Sequence, residues 1–230
     1  MNVFYTTGIL DDVVILDDAE SHHAVKVLRM VSGDQLLILD GKGTTCRAEI
    51  TNPHPKKCEC KILEKSFREK RPVNLHIAIA PTKLNDRFEW FLEKATEIGI
   101  EEITPVICSR SERRQINQER YLKVLIAAMK QSRNPWLPHL NDQMEFLPFL
   151  EANHAGYIAH CMDGSKTPLQ HANFNSSHVT VLVGPEGDFT EVEVAAAVSR
   201  KWEPVSLGDT RLRTETAGIV ACHTITLLKS

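Results

Sequence analysis

The chain reads as an α/β protein with a smaller β-rich segment in front of it, and three observations predict this. From Val73 onward, short apolar runs alternate with amphipathic stretches, the rhythm of a parallel sheet covered by helices on both faces. Two of those apolar runs break into glycine loops, Gly184-Pro-Glu-Gly187 and Leu207-Gly208, each leading into a helix. Residues 1–71 instead carry β-prone runs and one hairpin signal.

In the small segment the runs are Val13–Leu16, Gln35–Leu39, Thr45–Ile50 and Cys58–Leu63, with Gly41-Lys-Gly43 as the turn between the second and third. One helix is expected among them, capped by Asp18 or Ser21. Ala24, Val27 and Leu28 form its apolar face, and His22, Lys26 and Arg29 its other face. Glu64–Pro72 is charged, ends in proline and reads as a linker to a second domain over 72–230. There the expected strands are Leu75–Ala80, Ile103–Cys108, Gly156–His160, Val179–Val183 and Pro204–Leu207. The expected helices are Arg87–Ile98 (stopped by Gly99), Glu119–Arg133, Glu145–Glu151, a stretch through Lys201, and Thr214–Leu228. Thr190 and Glu193 have capping-box spacing and should open the fourth of these.

No apolar run approaches the roughly 20 residues of a membrane span, and the start of the chain has no signal-peptide pattern. Six scattered cysteines without a CxxC pair predict reduced thiols and a cytoplasmic setting. Cys58 and Cys60 are expected to face opposite sides of a strand. The adjacent pair His22-His23 lacks helical ligand spacing, so no metal site is expected. Net charge is −3, yet residues 104–136 hold seven Lys and Arg against two Glu, and residues 56–71 hold seven against three acidic groups. Such local patches keep RNA among the possible partners; a solvated helix face is the alternative.

The glycine loops lack GxxxxGK[ST] and GxGxxG, and Glu186 and Asp188 would repel a pyrophosphate. A neutral or cationic ligand suits them better. Arg213, Thr214 and Glu215 place a cation, a hydroxyl and a carboxylate at one helix mouth, a set able to orient a polar planar substrate and move a proton. Thr214 also has a structural reading, as the cap of the last helix. No serine sits in GxSxG, so a triad hydrolase has no support.

Several stretches together resemble the RsmE family of bacterial 16S ribosomal RNA methyltransferases. They are Val183-Gly-Pro-Glu-Gly-Asp-Phe-Thr190, Leu207-Gly-Asp-Thr-Arg-Leu-Arg-Thr-Glu-Thr-Ala217, Glu93-Lys-Ala-Thr-Glu-Ile-Gly99, Cys108-Ser-Arg-Ser-Glu-Arg113, His22-His-Ala-Val-Lys-Val-Leu-Arg-Met30 and Lys130-Gln-Ser132. The resemblance implies an N-terminal PUA-like β-barrel and a C-terminal SPOUT domain with a trefoil knot. It also implies a homodimer that uses S-adenosylmethionine to methylate N3 of a uridine near the decoding centre of the small subunit. The implied cofactor pocket is Leu182, Gly184, Pro185, Gly187, Leu207, Gly208, Leu212, Arg213 and Thr214. Glu186 or Glu215 would accept the imide proton and Arg213 would steady the anion, with loss of the proton to water as the alternative. RNA would be gripped by Lys26, Arg29, Arg110, Arg113, Arg114 and Arg133. Asp188, Ser132 and Gly218 depart from the family's common glycine, cysteine and alanine. Two other functions fit the same scaffold: a ribosome-assembly RNA-binding protein without catalysis, and a ribose 2′-O-methyltransferase.

Overall fold

The structure is a computed structural model that describes residues 1–10, 12–174 and 176–229. The chain forms two compact units. One is residues 1–70 with 126–137, the other residues 71–125 with 138–230. Residues 126–137 thus pack with the small unit although they follow the first strands of the large one.

The small unit holds β1 (Val3–Tyr5), β2 (Ile9–Leu10), β3 (Val13–Ile15), α1 (Asp18–His22), β4 (Gln35–Leu39), β5 (Thr44–Asn52) and β6 (Glu59–Phe67). They form one sheet in the order β1-β4-β5-β6-β3-β2, antiparallel except for the β1–β4 pair. Its core gathers Phe4, Val14, Leu16, Leu36, Ile38 and Ile50, all essentially out of water. The helix cap is Asp17, one residue earlier than expected, accepting from the Glu20 N–H at 2.8 Å. Ser21 is buried and bridges strands instead: its hydroxyl donates to the Leu16 carbonyl and accepts from the Cys58 N–H, both at 2.9 Å.

Beyond His22 the helix widens into a π turn, His23–Val27. The extra residue in that turn rotates the following side chains. Val27 and Leu28 therefore point to solvent, at 60% and 37% exposure, beside Lys26 and Arg29. The expected linker residues Glu64–Phe67 continue β6 against Thr44–Arg47, so cross-strand pairing outweighs their charge. Cys58 and Cys60 are both fully buried, which overturns the opposite-face expectation: residues two apart on an extended chain share a face.

The large unit begins with β7 (Asn74–Ile79), α2 (Asn85–Ile98), β8 (Glu102–Ile107) and α3 (Gln118–Ser132), whose last residues belong to the small unit. There follow β9 (His139–Leu140), β10 (Met144–Glu145), α4 (Phe146–Ala152), β11 (Gly156–Ala159), β12 (Thr167–Pro168), β13 (His178–Val183), α5 (Glu191–Ser199), β14 (Trp202–Ser206) and α6 (Thr214–Leu228). The strands form a parallel sheet in the order β10-β8-β7-β13-β11-β14-β12, with β9 also on β8. Ala78 and Leu182 face a cluster with Phe149, Phe189 and Trp202 from the α4–α5 side. Ile79 faces the other way, toward Phe91 of α2 and Gly218 of α6. Both sheet faces are therefore covered, as the sequence rhythm requires.

Gly99 ends α2 at φ 97°, a conformation that glycine adopts without penalty. The capping box of α5 is complete: Thr190 Oγ1 accepts from Glu193 N–H at 3.2 Å, and Glu193 accepts from Thr190 N–H at 2.8 Å. That helix ends at Ser199 rather than Lys201, where the backbone turns left-handed at φ 66°.

Candidate active site

Parallel strands end on one edge, where their loops converge. Here β11 lies between β13 and β14, so the loops after all three meet there: Ala159–Lys166, Gly184–Thr190 and Leu207–Arg213. They enclose two adjoining cavities of about 240 and 410 Å³ that share Ala159, Cys161, Arg211, Leu212 and Ala217. Gly184, Pro185, Glu186, Asp188, Arg213 and Thr214 wall the smaller one; His160, Lys166, Leu207, Gly208 and Asp209 wall the larger.

Specific bonds hold the two glycine loops together. Thr214 Oγ1 donates to the Gly184 carbonyl at 3.0 Å in a buried setting. Thr214 is accordingly the first residue of α6 and not its cap; that position falls to Arg213. Arg211 reaches the Glu186 carbonyl at 3.5 Å. Behind the first loop Arg110 donates to the carbonyls of Gly187 at 2.9 Å and Phe189 at 3.2 Å. A side chain at Gly184 would meet the Phe189 ring at 3.0 Å. Gly208 holds φ 135° with open space where a Cβ would stand.

Asp188 has φ 62°, which explains why glycine suits this position. Its carboxylate accepts from its neighbour's Phe189 N–H and from the Cys161 N–H, each at 2.8 Å. The charge is thus turned onto main-chain donors and ties the end of β11 to the first glycine loop.

The expected site residues separate into groups. Gly184, Pro185, Glu186, Leu207, Gly208, Leu212, Arg213 and Thr214 line the crevice. Leu182 does not; it is buried in the core beneath, and Val183 takes its place at the wall. Gly187 faces Arg110. Glu186 Oε1 accepts from the Lys83 N–H at 2.8 Å, while its Oε2 is buried without a partner. Glu215 is also buried, 3.8 Å from Arg87 on α2, with Oε2 unpaired, and stands outside the cavity walls. Arg213 is exposed and, among the described residues, its guanidinium makes no hydrogen bond or ion pair.

Sequence reading missed the β11 contribution. Both ring nitrogens of His160 are buried and unpaired. Burial, then the charge of Lys166, lowers its pKa and keeps the ring neutral. Lys166 donates to the Met162 carbonyl at 2.6 Å, and Cys161 is exposed in the crevice. Only strand order brings these residues here, and strand order leaves no local motif.

Of the expected RNA contacts, Lys26 and Arg29 are exposed on the small unit, as is Arg133 at φ 53°. The large-unit arginines hold loops: Arg113 donates to the Thr82 and Lys83 carbonyls at 3.0 and 2.9 Å, and Arg114 to Ser109 at 3.3 Å.

A mixed-charge crevice at the strand ends of a parallel sheet, accompanied by a separate β-rich unit, defines a two-domain α/β protein with a ligand-sized cavity. Residues 69–226 match the sequence profile described as an RNA methyltransferase domain, and residues 16–63 that of an RNA methyltransferase PUA domain. Ribosomal RNA small subunit methyltransferase E of Synechocystis sp. is 30% identical over 96% of this chain and 75% of its own length. A probable rRNA-methyltransferase from Porphyromonas gingivalis superposes with a TM-score of 0.89 at 36% identity, over 100% of this chain and 98% of that one. The small subunit methyltransferase E of Neisseria gonorrhoeae, solved bound to S-adenosyl methionine, gives 0.87 at 27% identity, over 99% and 98%. The chain belongs to the RsmE family of RNA methyltransferases, with a PUA-like N-terminal domain.

Proposed function

We propose that this chain transfers a methyl group from S-adenosylmethionine to N3 of one uridine in 16S ribosomal RNA. The observation that carries this reading is the meeting of the two glycine loops at one crevice, locked by the bond from Thr214 to Gly184. The donor set suits the cofactor. Main-chain groups of the Leu207–Leu212 loop can satisfy an adenine edge, and the Glu186 carboxylate suits a cation better than a phosphate. The unpaired buried Oε2 of Glu186 and ring nitrogens of His160 are groups a polar ligand would satisfy after small side-chain rotations.

S-adenosylmethionine supplies an electrophilic methyl group on sulfur. The protein aligns the acceptor nitrogen with it, since an in-line displacement gains most from position. Glu186 is the better-placed acceptor of the imide proton, because it lines the crevice while Glu215 pairs with Arg87. Arg213, free to approach the base, balances the negative charge that develops on the ring.

RNA is held by Lys26, Arg29 and Arg133, with Arg110, Arg113 and Arg114 adding positive field. The proposal retains a domain division at residues 71 and 72, with 126–137 packing on the small unit, the cytoplasmic setting and the trefoil knot; pairing of β12 with β14 supports a crossing of the 160–168 segment over the last strand. It also retains the homodimer, for which Ile219 and Val220 on α6 are half-buried while Ile225 belongs to the core. No helix among the described residues is long and apolar enough to cross a membrane.

The test is calorimetric titration with S-adenosylmethionine, followed by nucleoside mass spectrometry of small-subunit RNA after reaction. Saturable binding and 3-methyluridine are expected. Absence of binding would leave an assembly factor, and a ribose-methylated product would reassign the acceptor.

A further inference from the structure

At the opposite edge of the sheet, where the strands begin, the apolar face gives way to a polar row. The register sets His139, Glu102, His76 and Thr180 side by side across β9, β8, β7 and β13, with His178 and Asn74 paired one step below. Paired residues in a parallel sheet present their side chains to the same face, which brings the imidazoles of His76 and His178 to the Glu102 carboxylate. One donor atom from each of His76, Glu102 and His178 lies within 4.8 Å of the other two. We infer that His76, Glu102 and His178 form a binding site for a divalent first-row transition ion, Zn²⁺ being the natural occupant.

The surroundings orient the donors as outer ligand shells do. Thr104 Oγ1 lies 2.7 Å from His76 Nε2, and Asn141 Nδ2 donates to both Thr104 Oγ1 and Glu102 Oε1 at 2.7 Å. When Nε2–H is given to Thr104, the lone pair of His76 lies on Nδ1, 3.3 Å from Thr180 Oγ1, a hydroxyl that also stands 3.1 Å from His178 Nε2 and would turn aside for the ion. His178 is exposed and supplies the route of entry, while His76 is 2% exposed. In a tetrahedral zinc site with bonds of about 2.0–2.1 Å the ligand atoms sit roughly 3.4 Å apart, so donors now within 4.8 Å of one another must close by up to about 1.4 Å. The exposed His178 ring and the Asn74 amide, which now stands 2.8 Å from His178 Nδ1 and 3.2 Å from Glu102 Oε2, are the parts that move. The site uses no residue of the crevice, and its role would be to fasten three strands together where polar side chains replace the apolar core beneath Phe149, whose ring lies 5.8 Å from that of His76.

The test is titration of the full chain with Co²⁺, read by its visible absorption, and with Zn²⁺ by calorimetry. One equivalent per chain is expected, with His178→Ala and Glu102→Gln each weakening binding at least tenfold and His154→Ala, an exposed histidine elsewhere, leaving it unchanged. Absence of saturable Co²⁺ or Zn²⁺ binding, or binding equally strong in His178→Ala and Glu102→Gln, overturns the site. Because donors and crevice share no residue, loss of this site leaves cofactor titration unaffected, so the two proposals fail independently.

Discussion

Thr214→Val tests whether the crevice depends on the lock between its loops. Valine keeps the shape of threonine but removes the hydroxyl that donates to Gly184, at a residue only 4% exposed. The stranded carbonyl then costs about 1–3 kcal/mol of desolvation. Were all of it expressed as a population of separated loops, S-adenosylmethionine affinity would fall by roughly 5- to 150-fold, at about 1.4 kcal/mol per decade. Thr214→Ser provides the control: it keeps the hydroxyl and gives up one methyl, about 0.8 kcal/mol of burial that should appear in thermal unfolding rather than in binding. Calorimetric titration of the three proteins, with thermal melts alongside, separates these terms. Valine binding within twofold of wild type, or serine losing as much as valine, would refute the lock.

Three further outcomes are expected. Arg213→Ala should lower kcat by about 10- to 1,000-fold, measured by methyl incorporation, with thermal stability unchanged because the exposed guanidinium has no protein partner among the described residues. Gly218→Ala should cost about 1–3 kcal/mol in denaturant unfolding, since the new Cβ would fall 2.7 Å from Phe91 Cε2 and 2.8 Å from Ile79 Cδ1; adding Phe91→Leu should recover part of that loss. A maleimide should label Cys161 first and more slowly when S-adenosylmethionine is present, as mass spectrometry of peptides would report. The other five thiols are buried, and burial pushes Cys60 and Cys222 up to about 12.

Where structure is governed by neighbours in the chain, the sequence was readable. Gly99 stops a helix because its backbone turns left-handed, and Thr190 with Glu193 opens one because each satisfies the other's N–H. The first glycine loop was legible for the same reason, following a strand too apolar for any place but the interior, while the second follows a mixed strand in which Trp202 and Val205 are buried and Glu203 is exposed. What stayed hidden depends on partners distant in the chain. Pairing with β5 turns Glu64–Phe67 into a strand, and the position of β11 between β13 and β14 brings His160 and Cys161 to the crevice. Register alone lines up His139, Glu102 and His76. Alternation along β13, rather than nearness to the loop, puts Val183 at the cavity wall and the Leu182 side chain in the core.

The bonds from Arg110 and Arg113 to loop carbonyls carry a consequence for how a polyanion is met. A carbonyl is a dipole, so each guanidinium keeps its whole charge while losing most of its freedom of movement. The entropy of fixing these cations is spent during folding, before any nucleic acid arrives. Their influence should therefore show mainly in how fast RNA is drawn in at low ionic strength, and less in how long it stays once seated.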